Sequence, residues 1–132
     1  MGQDVHFANV EFELESDLSL KPLLDEISDK ISLHYYDRLE NGIDFASFDL
    51  RESGYGQNIE VTVSAFCDLI EDLSPLAKEV WSQCVKRELD IGFEGGDSKF
   101  IFEGRIENKT LARVAEIGAS VEITIYPISP AV

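Results

Sequence analysis

The segment that most constrains the fold is the alternating stretch over residues 5–15. Apolar side chains occupy every second position, at Ala8, Val10, Phe12 and Leu14. They alternate with Asn9 and with three glutamates, Glu11, Glu13 and Glu15. A period of two residues predicts a strand with one buried face and one face that carries a row of carboxylates. Because like charges at that spacing repel, such a row is tolerated only where the face is wet or meets a cationic partner.

The chain then changes to the spacing of an amphipathic helix. Leu20, Leu23, Leu24 and Ile27 recur at i, i+3, i+4 and i+7, with Asp17 or Ser19 as the predicted N-cap. Two apolar runs follow, over residues 31–39 and 43–50, on either side of Asn41-Gly42. That dipeptide supplies the positive φ angles of a tight turn, so these runs predict a β-hairpin.

The second half mixes both periods. The β-branched residues Ile59, Val61 and Val63 alternate and predict a short strand, and residues 66–73 have helical spacing. Ser74-Pro75 ends that helix and begins another. The predicted buried face of this next helix comprises Leu76, Ala77, Val80, Trp81, Cys84 and Val85.

The remaining elements are predicted from turns and caps. Residues 89–93 predict a strand, and Gly95-Gly96 predicts a hairpin turn into another strand over 100–102. Asn108 or Thr110 is the predicted cap of a last helix that ends at Gly118. Residues 121–125 predict the final strand. This order predicts a single α+β domain over residues 1–132, with a mostly antiparallel sheet and helices packed on one face, as a ferredoxin-like fold or a doubled β-α-β-β sandwich.

The charge of the chain limits its partners. The 132 residues include 26 acids and 11 bases, a net charge of −15, and residues 1–66 hold 14 acids and 4 bases, which is −10 of that total. Direct binding to nucleic acid through phosphates needs a basic surface, and so does docking on anionic lipid. No apolar run approaches a membrane span, and the first residues lack the pattern of a signal peptide. We therefore expect a cytoplasmic protein that binds neither nucleic acid directly nor a membrane.

Catalytic and metal-binding patterns are missing from the sequence. His6 and His34 have no His or Cys at ligand spacing, so no metal is expected. Cys67 and Cys84 fall at inward helical positions and are expected to be small buried residues. Neither a phosphate-binding loop nor a nucleophile elbow occurs, so we expect no cofactor and no enzyme. A small enzyme or ligand-binding domain, with a cleft near residues 54–58, remains the alternative.

Two resemblances extend this interpretation. The stretch over residues 108–126 resembles the end of a small bacterial family of unknown function, which closes with a helix reading Leu-x-x-Leu-Ala-x-Leu-Gly and a strand that finishes near a Tyr. The opening strand and the helix over residues 20–27 fit the first elements of that family. In size, charge and missing chemistry, the chain is similar to the immunity proteins of bacterial toxin systems. That similarity implies a basic toxin domain as partner.

The leading hypothesis is an acidic immunity protein that covers the active site or substrate path of a basic, nuclease-type toxin. The candidate partner-binding residues are Glu11, Glu13, Glu15, Tyr35, Tyr36, Asp37, Glu40, Asp44 and Asp49. A general nucleic-acid mimic and a scaffold whose acidity serves only solubility remain alternatives. The sequence leaves the oligomeric state open, although an edge strand over 59–63 or 100–102 would permit pairing with a second copy.

Overall fold

The computed structural model describes residues 6–51, 58–96 and 103–127, which form an α+β fold of four helices and five strands. In chain order the elements are β1 (His6–Ser16), α1 (Lys21–Ile27), β2 (Ile31–Arg38), β3 (Asp44–Leu50), α2 (Ile59–Glu71), α3 (Pro75–Ser82), β4 (Cys84–Glu94), α4 (Asn108–Glu116) and β5 (Ser120–Tyr126). Over these residues, no helix has the length and apolar character needed to cross a membrane.

The strands form one open, mixed sheet in the order β2-β3-β1-β4-β5. β1 lies at the centre and runs antiparallel to both β3 and β4, and β2 runs antiparallel to β3. Among the described strand pairs, only β4–β5 is parallel. The predicted α+β class and the mostly antiparallel sheet are therefore confirmed. β2 and β5 are the two edge strands of the described sheet.

One face of the sheet carries the hydrophobic core. The ring of Phe12, on β1, lies 5.9 Å from that of Phe48, 5.0 Å from that of Phe66 on α2 and 5.4 Å from that of Trp81 on α3. Buried residues of α1 and α4 belong to the same cluster. The helices therefore cover the face from which Phe12 projects. We call the opposite face, from which Glu11, Glu13 and Glu15 of β1 project, the open face.

Several turns and caps form where the sequence predicts them. Asn41-Gly42 lies between β2 and β3, and Gly42 has a φ of +85°. Gly118 follows α4 with a φ of +77°. Ser74 caps α3, where its hydroxyl accepts the N–H of Ala77 at 3.2 Å. These local signals suffice because each depends on only a few neighbouring residues.

The predicted strand over residues 59–63 is wrong, because these residues begin α2. Asn58 caps this helix: its side-chain oxygen accepts the N–H of Val61 at 3.1 Å. Ile59, Val63 and Phe66 then point into the core at helical spacing, and Val61 is exposed. The N-cap outweighs the β-branched residues because it satisfies an otherwise unpaired N–H group. The alternative edge strand at 59–63 is thereby removed as well.

The predicted buried face of α3 is also partly wrong. The helix ends at Ser82, so Cys84 begins β4 instead of continuing the helix. Leu76 and Val85 are 68% and 63% exposed. The predicted strand over 100–102 lies outside the described residues, as do Gly54 and Gly56 of the predicted loop. Among the described strands, the neighbours of β4 are β1 and β5, so the predicted hairpin partner of β4 is not among them.

At the start of two helices, the N-cap residue differs from the predicted one. The N-cap of α1 is Leu20, whose N–H group donates to the carboxylate of Asp44 at 3.0 Å. The predicted Ser19 lies one position earlier, and its hydroxyl accepts the N–H of Lys21 at 3.2 Å. At α4 the N-cap is Glu107. Its N–H group donates to the carboxylate of Glu60 at 2.8 Å. The acceptors of these two N–H groups, Asp44 and Glu60, come from distant positions in the chain. The local pattern therefore does not reveal them.

Candidate protein-binding surface

Three neighbouring strands bring acidic side chains together on the open face. In β1, Glu11 pairs with Asp90, Glu13 with Glu88 and Glu15 with Lys86 of β4. In β5, Glu122 pairs with Asp90. Paired residues of adjacent strands project from the same side of a sheet. The acidic face, as we call this set, comprises Glu11, Glu13, Glu15, Lys86, Glu88, Asp90 and Glu122. Its six carboxylates and one ammonium give a formal net charge of −5.

Lys86 lies among three of these carboxylates. Its Nζ atom is 2.9 Å from Oε2 of Glu13, 3.7 Å from Oε2 of Glu15 and 3.9 Å from Oε1 of Glu88. The hydrogen bond to Glu13 is the main cause that raises the pKa of Lys86, and the surrounding negative charge raises it further. One cation therefore reduces the repulsion within the row but does not neutralise it.

Glu88 and Glu122 form a hydrogen-bonded carboxyl pair. Burial raises the pKa of Glu88, and the hydrogen bond with Glu122 raises it further. The negative charges of Glu122 and Glu13 raise the pKa of Glu88 further, whereas the charge of Lys86 lowers it.

The β5 side of the acidic face ends in polar and aromatic groups. The hydroxyl of Thr124 donates to Oδ1 of Asp90 at 2.7 Å. Burial raises the pKa of Tyr126, and the negative charges of Asp90 and Glu11 add to this effect. Tyr126 is exposed at this border of the acidic face. Exposed tyrosines beside charged groups are frequent anchors in protein interfaces.

The β2–β3 side of the open face supplies a second aromatic group. The rings of Tyr35 and Phe45 are 5.7 Å apart, and Phe45 pairs with Glu15 across the β1–β3 ladder. Oδ2 of Asp49 lies 3.1 Å from Nε2 of His34. Asp37 pairs with Phe45 and is exposed. Aromatic and acidic side chains therefore border each other on this face.

Two of the predicted partner-binding residues lie on the helical side of the sheet instead. Asp44 is only 2% exposed, and its carboxylate accepts hydrogen bonds from the N–H of Leu20 and from the hydroxyl of Tyr36, at 3.0 and 2.9 Å. Nη2 of Arg38 is 2.8 Å from its other oxygen. Burial is the main cause that raises the pKa of Tyr36. Asp44 and Tyr36 therefore hold α1 to the hairpin and do not belong to the acidic face.

The nine predicted residues thus fall into three places. Six lie on the open face, namely Glu11, Glu13, Glu15, Tyr35, Asp37 and Asp49. Glu40 is exposed in the β2–β3 turn, and Tyr36 and Asp44 lie on the helical side. The open face also holds five residues that were not predicted, namely Lys86, Glu88, Asp90, Glu122 and Tyr126. A signal exists for all of these except Lys86, because they alternate with the apolar residues of β4 and β5.

A groove between α2, α3 and α4 is the main alternative ligand site among the described residues. It has a volume of about 660 Å³ and is lined by residues that include Trp81, Arg87 and Glu116. Arg87 donates to the carbonyls of Gly118 and Trp81 at 2.9 and 3.1 Å, and its guanidinium carbon lies 5.9 Å from the centroid of the Trp81 ring. These contacts occupy one of the two cations that line the groove, the other being Lys78. The cleft predicted near residues 54–58 lies mostly outside the described residues.

Nucleophilic and metal-binding groups are not assembled in the part of the chain that the structure describes. Cys67 and Cys84 are free and buried, as predicted. Burial raises the pKa of both thiols to about 11, which keeps them protonated near neutral pH. Within the same residues, no group of three or more His, Cys, Asp or Glu side chains is placed to hold a metal ion.

No family model matches the chain, and neither a curated protein sequence nor a solved structure matches it. The chemistry of the open face is therefore the basis for a functional proposal.

Proposed function

We propose that the chain is a cytoplasmic immunity protein that inhibits a cognate, basic, nuclease-type toxin. The open face is the proposed contact surface. The observation that carries the proposal is the acidic face, where β1, β4 and β5 concentrate six carboxylates and one lysine. No other described region combines this charge density with exposed aromatic side chains at its borders.

The proposed inhibition follows from charge complementarity. A nuclease binds the phosphates of its substrate through Lys and Arg side chains. Carboxylates spaced along neighbouring strands offer those cations substitute partners and block the path of the substrate. Clustered charge of opposite sign also raises the rate of association. Tyr35 and Tyr126 would add apolar contact area at the two ends of the surface.

Within the α+β class, we propose that the fold is a ferredoxin-like unit with an extension. The elements β1-α1-β2-β3-α2-β4 follow the β-α-β-β-α-β order, with α3 inserted before β4. Their sheet order is β2-β3-β1-β4, and β5 is added outside β4 in parallel. In this arrangement the extension contributes Glu122 and Tyr126, so it enlarges the proposed contact surface.

The direct test uses the basic nuclease domain that this proposal expects to be encoded beside this gene. The purified nuclease is assayed with and without one equivalent of the chain. We expect stoichiometric inhibition, together with a complex whose affinity falls as salt increases. The triple variant Glu11→Gln, Glu15→Gln, Glu122→Gln should weaken inhibition strongly. Full inhibition by that variant would overturn the proposed surface.

A charge-matched control separates this surface from acidity in general. Asp29→Asn, Asp72→Asn, Glu116→Gln removes the same three charges from exposed positions outside the acidic face. It should inhibit like the unaltered chain. A nucleic-acid mimic instead predicts that both triple variants lose little and that several unrelated basic proteins bind equally well, in competition with heparin.

A further inference from the structure

β5 is an edge strand with an apolar stripe. It has β4 on one side, and no described strand pairs with its other side. Val121, Ile123 and Ile125 project from its helical side and are 40%, 64% and 67% exposed. In β4, their partners Leu89 and Ile91 are buried in the core. The stripe therefore extends the apolar layer of the core beyond the last described strand.

The two edges of the sheet differ in how they resist pairing. β2 has a register irregularity between Leu33 and Tyr35 and carries charged groups at Asp37 and Arg38. Bulges and charges of this kind discourage another strand from adding to an edge. β5 contains one charged residue, Glu122, and its ladder with β4 runs without a register shift. An unprotected edge with an apolar stripe is typical of a pairing surface.

We infer that two copies of this chain pair through β5, antiparallel and across a twofold axis, and so form a continuous ten-stranded sheet. The inference concerns the edge of the sheet and goes beyond the proposed toxin-binding function. The strand that pairs with β5 is the β5 of a second copy, because β5 is complementary to itself in one register. In that register apolar residues meet apolar residues and the like charges do not face each other.

That register centres on Ile123, the middle residue of the seven in β5. All seven residues then find partners, and Ile123 meets Ile123 of the second copy on the axis. Val121 lies opposite Ile125, so apolar residues meet on the helical side. Glu122 lies opposite Thr124, which keeps the two Glu122 carboxylates from facing each other. A shift of the axis to Glu122 would oppose them directly.

The area available predicts a weak dimer. The exposed parts of the three apolar side chains amount to roughly 300 Å² per copy, a patch size that is often functional on a monomer. A standard interface buries about 800 Å² per partner, and the backbone of the paired strands supplies part of the difference. The dimer should therefore form in the micromolar range. Because the net charge of −15 opposes association, added salt should strengthen the dimer.

Sedimentation of the full chain over low to high micromolar concentrations tests the pairing. We expect a concentration-dependent dimer that Ile123→Lys abolishes. Leu76→Lys is the matched control, because Leu76 is 68% exposed on α3 and lies outside the stripe; it should leave the dimer unchanged. Thermal melting verifies that both variants fold. A monomer at every concentration, or a dimer that survives Ile123→Lys, would overturn the inference.

Cysteine crosslinking tests the register. Residues that face each other in an antiparallel pair have Cα atoms about 4.5–5.5 Å apart, which suits a disulfide. Ile123→Cys should therefore crosslink under mild oxidation. Ile125→Cys should not, because the two copies of that residue lie about 13 Å apart in this register. Equal crosslinking of both variants would contradict the register.

Accessibility of the stripe supplies a further readout. Cys67 and Cys84 are buried, so the background from native thiols should be low. In dilute solution, a maleimide should label Ile123→Cys rapidly. Slow labelling of the dilute monomer would mean that the chain covers the stripe with its own residues, and that result would overturn the inference. Salt separates the two proposals, since it should strengthen the β5 dimer but weaken toxin binding.

Discussion

Nζ of Lys86 lies 2.9 Å from Oε2 of Glu13, a residue 73 positions earlier in the chain. This contact joins the central strand to β4 at the middle of the acidic face. It also shows how the chain tolerates the glutamate row of β1: a single ammonium lies within 4 Å of Glu13, Glu15 and Glu88. The row is therefore partly compensated, and the remaining negative charge is available to a partner.

Removing the lysine should destabilise the fold. Lys86→Met keeps the apolar stem but leaves three carboxylates without their cation, and we expect the free energy of unfolding to fall by about 1 kcal/mol. Urea denaturation at low salt measures this loss, and it should shrink at high salt because screening weakens the repulsion. Lys78→Met, at an exposed position of α3, is the control and should have little effect. An unchanged midpoint for Lys86→Met would contradict the assigned role.

Glu88 predicts a specific pH dependence. Its pKa is raised in the folded protein by burial and by Glu122, so the folded state holds the proton more tightly than the unfolded state does. The stabilisation that the protonated Glu88 contributes is fully present below the pKa of this group in the unfolded state. It is lost as the pH rises through the pKa of the same group in the folded state. The amide of Glu88→Gln does not ionise, so this variant keeps its stability as the pH rises. It should therefore melt at a higher temperature than the unaltered chain at pH 7.

The advantage of Glu88→Gln should shrink as the pH falls below the unfolded pKa of Glu88, because the group is then mostly protonated in both states. Thermal melting across pH 4–8 tests this, with Glu116→Gln on α4 as an exposed control. The same Glu88→Gln variant should bind the toxin more weakly, because it lacks a carboxylate of the acidic face. A variant that is less stable than the unaltered chain at pH 7 would refute the assigned pKa shift.

Asp44 should matter for folding. Asp44→Ala leaves the buried N–H of Leu20 without its acceptor and removes one hydrogen bond of the partly buried Tyr36 hydroxyl. We expect a loss of about 2 kcal/mol in the free energy of unfolding. Glu40→Ala, in the exposed β2–β3 turn, should change it by less than about 0.5 kcal/mol. Equal effects of the two changes would show that Asp44 does not anchor α1.

Much of the fold was predictable because its signals are local. The alternation in β1 predicts both its buried face and its glutamate row, and Asn41-Gly42 predicts the hairpin. The error at residues 59–63 has a physical cause: Ile59, Val61 and Val63 fit a strand, whereas Asn58 and the spacing to Phe66 fit a helix. The cap and the packing of Phe66 against Phe12 decide the outcome, and the packing is a long-range contact.

The candidate site was only half predictable. The sequence places Glu11, Glu13 and Glu15 on one face, but it does not reveal which strands lie beside them. Glu88 and Glu122 join the row only because β4 pairs with β1 and then with β5. The assignment of Asp44 failed for a related reason, since its partner Leu20 is 24 positions away. Strand order and distant caps depend on tertiary packing, which local periodicity does not encode.

The most direct test of the central claim is the association rate with the cognate basic nuclease, measured by stopped flow from low to high ionic strength. Our account predicts a steep fall in rate as salt rises. It also predicts a roughly tenfold or larger reduction at low salt for Glu11→Gln, Glu15→Gln, Glu122→Gln. The Asp29→Asn, Asp72→Asn, Glu116→Gln control should lose far less. A rate that is independent of salt, or equal losses in the two triple variants, would contradict the proposal that the acidic face binds the toxin.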